Sequence, residues 1–141
     1  MAGRLVVKKC TPQWLDRVLA GQKPWEIRRA DDWRWRAGDW LVLGRYVACR
    51  PGWGALAWGP DAVLVRVVEV LRDVPGLQRG YRLLRITDPV AVLQAPPGVR
   101  MGRSDAAVRY HWRLAAEAAM GWSGDWDETN APAPGPEEED G

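Results

Sequence analysis

The chain has 141 residues, 47% of them hydrophobic, and a formal net charge of +2, which suits one domain with enough apolar content to bury a core. Two cysteines, not arranged as C-x-x-C, and a single histidine argue against a metal or redox centre, and no cofactor is called for. No stretch approaches the roughly 20 apolar residues of a membrane span, and the apolar run near Met1 is too short for a signal peptide, so a soluble cytoplasmic protein with no membrane partner is expected.

Arg4 to Lys8 reads as a first strand, with Leu5-Val6-Val7 apolar and mostly β-branched. Thr11 before Pro12 is a helix-start signature, a hydroxyl at the N-cap and proline at the first helical position. The helix runs to about Leu19, with Trp14, Leu15, Val18 and Leu19 at helical spacing and Gly21 as its stop. Trp25 to Arg28 then alternates in the two-residue period of a strand, which predicts Trp25 and Ile27 toward a core and Glu26 and Arg28 on the other face. Lys23 stands just before them, so three ionisable groups of both signs gather at the turn from helix to strand.

Ala30-Asp31-Asp32 is a turn, and Trp33-Arg34-Trp35-Arg36 alternates aromatic and cation. That pattern fits either a rim of core tryptophans with solvated arginines or a platform that stacks bases beside phosphate ligands. Gly38-Asp39 is a second turn, and Trp40 to Tyr46 is a strand. Around Trp53, Arg50-Pro51-Gly52 and Gly54 break regular structure. Trp53 near Arg50 is thus a ligand-contact candidate, or else Trp53 and Trp58 plug the mouth of the fold.

The valine-rich run Ala62 to Leu71, which carries Glu69, is a long strand, and Tyr81 to Thr87 follows it after a turn from Asp73 to Gly80. Asp88 to Arg103, with Pro89, Pro96 and Pro97, reads as an irregular connector. Ser104 caps a helix from Asp105 to Met120, its face read from Ala107, Tyr110, Leu114 and Ala118. The elements make an α+β fold, a small mixed β-barrel with one helix between the first two strands and one at the C-terminal end. Residues 1–123 form the domain, and 124–141, with three prolines and a terminal acidic run, form a disordered tail.

The small net charge hides an asymmetry. Residues 124–141 hold seven acids and no Lys or Arg, which leaves 20 basic and 11 acidic residues in 1–123, a net +9. Such a body favours polyanions. Its cations are mostly arginine, which suits bidentate contacts to phosphates and base edges, though a GC-rich genome would give the same bias. Phe is absent while Trp occurs ten times, which fits either indoles placed at a surface where a flat ring is useful or a composition habit in which Trp replaces Phe.

The run Val18-Leu19-Ala20-Gly21-Gln22-Lys23-Pro24-Trp25-Glu26-Ile27-Arg28, followed by Gly38-Asp39 and by Gly76-Leu77-Gln78-Arg79-Gly80-Tyr81, resembles the ASCH domain of the PUA-like superfamily. It is most similar to a phage- and bacterium-associated branch that reads V-L-x-G-x-K-x-x-E-I-R, then V-G-D, then G-L-x-x-G-Y. The resemblance covers about Leu5 to Thr87 and implies a PUA-like barrel. Some ASCH proteins are amidohydrolases of N-acylated cytidines with the motif G-x-K-T-x-T-I-R, in which the Lys, the second Thr and a later Glu are catalytic. Here Lys23 matches the Lys, Pro24 replaces the first Thr and Glu26 the second, so the hydroxyl is missing; Glu69 would stand for the later Glu.

Three functions follow from different classes. The first is a module that binds RNA or a nucleotide-like ligand through Lys23, Glu26, Arg28, Arg50 and Trp53, with a nucleobase edge bonding to Glu26. The second is a nucleoside- or RNA-acting hydrolase, amidohydrolase or ribonuclease, using Lys23 and Glu26 with Glu69 as partner. The third is a phage-type protein-interaction module whose exposed tryptophans meet a host protein.

Overall fold

The computed structural model describes residues 3–47, 57–95, 104–122 and 126. In chain order the elements are β1 (Leu5–Cys10), α1 (Pro12–Leu19), β2 (Trp25–Arg29), β3 (Trp40–Tyr46), β4 (Trp58–Leu71), β5 (Tyr81–Ile86), β6 (Ala91–Gln94) and α2 (Asp105–Met120). The strands make one mixed sheet in the order β1-β3-β4-β5-β2, with β6 also on β4. β1 and β3 are parallel and the other pairs antiparallel. The long β4 serves two ladders: its first half pairs with β3 and β6, and its second half with β5.

β3 and β4 are covered on both faces, which is why their centres read as continuous apolar runs rather than alternations. Leu41, Leu43, Val63 and Val65 pack on one side with Leu15 and Val18 of α1 and with Trp33 and Trp35. Val42, Ala62 and Leu64 pack on the other side with Val108, Trp112 and Ala116 of α2. The Trp58 ring lies against Gly44, where an added Cβ would meet ring carbon Cζ3 at 2.5 Å; only glycine fits beneath it. Trp58 is therefore a core residue at the start of β4.

The α+β class holds. The ladder is open, because β1 and β2 end the strand order and do not pair with each other. Side chains bridge what the backbone leaves. Arg28 of β2 donates from Nη2 to Lys9 O of β1 at 2.8 Å, and Arg109 of α2 donates from Nη1 to Val7 O. Those two carbonyls lie two residues apart, so they share the edge of β1 that faces away from β3.

Several local expectations need correction. Thr11 takes the extended N-cap conformation, but its side chain makes no cap hydrogen bond; Pro12 at the first position is the start signal that operates. The buried face of α2 is Val108, Trp112 and Ala116, whereas Tyr110 and Leu114 are 61% and 45% exposed. The connector after Asp88 contains β6. Trp33 and Trp35 are buried in edge-to-face contact, 6.5 Å between centroids, so they are core and not a base platform.

Asp39 of the Gly-Asp turn is a buried hub: it accepts from Arg4 Nε at 2.8 Å and Nη2 at 2.6 Å, Trp33 Nε1 at 3.2 Å and Arg36 N at 2.9 Å. Trp126, assigned from sequence to a disordered tail, is buried against Trp122 with rings stacked 4.5 Å apart. The rest of the acidic segment lies outside the described residues. Among the described residues no helix is long and apolar enough to cross a membrane.

Candidate functional site

β2 keeps its alternation, but the faces are exchanged. Glu26 is 5% exposed on the inward side, while Trp25 and Ile27 are 41% and 46% exposed. The cause is electrostatic. A buried charge must be paired, and Glu26 has partners on both carboxylate oxygens: Lys23 Nζ donates to Oε1, and Arg28 Nη2 lies 2.7 Å from Oε2. Lys23 is itself 8% exposed. The three groups that the sequence gathers are thus brought together as a closed ion triad, and the carboxylate has no oxygen left open to a base edge. Arg28 Nε is buried without a hydrogen-bond partner.

Around this triad stand two tryptophans. Lys23 Nζ lies 5.1 Å from the Trp14 ring centroid and 5.2 Å from that of Trp25, and Arg17 lies 5.0 Å from Trp14. Among the described residues, Trp14 at 40% and Trp25 at 41% are the exposed tryptophans; the other seven are buried or half-buried. α1 holds Trp14 in place by seating Leu15 and Val18 in the core, while its Asp16 accepts from Arg45 Nη2 at 2.8 Å. Trp14 is the residue that sequence reasoning missed, because it was counted on the apolar face of α1. Its signal was the cation spacing: Arg17 is three residues on, within reach across one helical turn.

Cys10 ends β1 beside the triad. Burial, reinforced by the Glu26 carboxylate, pushes its thiol up to about 11, so it is protonated and a poor nucleophile at neutral pH. Glu69 is not part of this cluster. It lies half-exposed opposite Arg85, 2.9 Å away, and Arg85 in turn pairs in register with Trp25 on the outward face. Arg50 and Trp53 lie outside the described residues.

One cleft lies on the outer face of β2 and a second on the turn between β4 and β5. The first, of about 300 Å³, is apolar and is lined by Trp25, Ile27, Leu83 and the turn from Val74 to Leu77. The other, of about 420 Å³, is lined by Arg72, Asp73, Gln78, Arg79, Tyr81 and Arg82, and Leu77 borders both. The second cleft sits on the G-L-x-x-G-Y motif, whose glycines are needed for conformation: Gly76 has φ +86° and Gly80 φ +87°, both left-handed. A family model described as a domain of unknown function (DUF3850) matches residues 7–86, and the chain belongs to that family. No curated protein matches the chain.

Proposed function

We propose that this DUF3850 protein is an RNA- or nucleotide-binding module of the ASCH/PUA-like kind, which stacks a nucleobase at the indoles beside Lys23. One observation carries this: the two exposed tryptophans among the described residues flank one ammonium, at 5.1 and 5.2 Å. Stacking on an aromatic ring accepts any base, because every base has a π-face, and a fixed cation near the ring adds attraction for an anionic ligand. The buried triad positions the ammonium, and Arg28 acts through Glu26. A barrel-like closure is supported by Arg28, which ties β2 to Lys9 O of β1.

The hydrolase reading is weaker by chemistry. Glu26 stands where the N-acylcytidine amidohydrolases carry a hydroxyl, and both its oxygens are engaged. N-acylcytidine incubated with the protein is expected to remain intact, and turnover would reverse the assignment.

The test is titration of a labelled mixed-sequence single-stranded RNA, followed by polarisation. A stacked base contributes roughly 1–3 kcal/mol, so Trp14→Ala or Trp25→Ala should weaken binding about 10-fold or more with little change in melting temperature. Absence of binding, or binding untouched by both substitutions, would overturn the reading.

A further inference from the structure

We infer that the turn from Arg72 to Arg82 is a phosphate site, and that the ligand is a single strand of at least two nucleotides running from the Trp25 groove into it; this rests on the nucleic-acid reading just given. Three guanidiniums, those of Arg72, Arg79 and Arg82, line the cleft against a single carboxylate, that of Asp73. Guanidinium groups bind phosphate oxygens with paired donors. Arg82 is buried and anchored, donating from Nη1 to Tyr81 O at 3.0 Å, whereas Arg72 and Arg79 are exposed.

The backbone turns sharply where the cleft forms. Asp73 has φ +57°, the one non-glycine residue with positive φ among the described residues. Asp is a residue type that tolerates this left-handed conformation in turns, and here it shapes the wall of the cleft.

Continuity and size point to a strand. Leu77 borders both clefts, so the apolar groove that holds Trp25 and the arginine cleft lie next to each other across this one side chain. At about 300 and 420 Å³, each lies in the range of a small-ligand site. One base in the groove and one phosphate in the arginine cleft leave room for the neighbouring nucleotide. A duplex would keep its bases stacked on each other, away from the Trp25 ring.

The test compares uridine monophosphate, a six-nucleotide single-stranded oligo(U), its DNA counterpart and a twelve-base-pair duplex, with inorganic phosphate as competitor. Oligo(U) should bind at least 10-fold more tightly than the mononucleotide and the duplex. Arg72→Ala and Arg79→Ala should each weaken it several-fold and flatten the log-log salt slope by about 0.7, the value for one single-strand phosphate, with melting unchanged because both residues are exposed. If oligo(U) binds and needs Trp14 and Trp25 while both arginine variants keep wild-type affinity and slope, the phosphate site is wrong and the base-stacking function stands. Equal affinity for mononucleotide and oligo(U) overturns the strand. If none of the nucleic-acid probes binds, both the site and the function fall.

Discussion

Glu26 decides what the ion triad does for the fold. Its carboxylate is buried between Lys23 and Arg28, and losing one partner of such a cluster leaves the others desolvated without compensation, at about 3–5 kcal/mol. Glu26→Gln keeps the shape and is expected to destabilise by roughly 3 kcal/mol in chemical denaturation. Lys23→Met made in that background should then cost far less than it does alone, since the two share one interaction. Additive losses would mean that the pair contributes nothing as a pair. Cys10 offers a second check. Its thiol ionises at about 11 in the folded chain against an ordinary 9.0, so the unfolded chain releases its proton first as pH rises. The thiol's share of stability is therefore complete below pH 9 and declines between 9 and 11, by about 3 kcal/mol at 1.4 kcal/mol per unit. Cys10→Ala should flatten that decline; an identical slope in the variant would refute the assignment.

At the scale of elements, what was legible is what local chemistry signals. Pro12 marks the start of α1, and Ser104 Oγ accepts from Ala107 N at 3.1 Å to start α2; the apolar run of β3 gave both its ends. Faces were not legible. β2 alternates whichever way it is turned, and only the partners of Glu26 choose. α2 carries alanines on every side, so its hydrophobic contrast is weak, and the indole stack of the second core selects Trp112 over Tyr110 and Leu114. β6 is four residues with Val92 exposed and Leu93 buried, too short for a period to show between prolines. The face assignment is testable: Trp112→Ala should cost about 3–5 kcal/mol, while Leu114→Ala and Tyr110→Ala stay within about 0.5 kcal/mol. Comparable losses at Leu114 and Trp112 would mean that α2 packs by the face read from sequence.

For the molecule as a whole, the open question is how a basic body and an acidic segment act on one ligand. The charge division was visible in composition, but the place where it begins was not, because Trp126 stands amid Asp125 and Asp127 and still packs into the second core, its Nε1 donating to Glu117 of α2. Cutting at residue 123 removes that indole together with the charge, and it should lower the melting temperature. Cutting after Asp127 removes five of the seven acids, keeps Trp126, and leaves 20 basic against 13 acidic residues, a net +7. If the acidic segment competes with nucleic acid for the body's cations, this shorter truncation melts like the full chain and binds single-stranded RNA with equal or greater affinity. The gain should be largest at low salt, where charges interact over tens of ångströms, and fade near 0.15 M, where the screening length is about 8 Å. Binding by either form should fall steeply with salt, by about 0.7 in the log-log slope for each phosphate neutralised. Weaker binding after the cut would make the segment part of the binding surface, and a slope near zero would remove nucleic acid as the partner altogether.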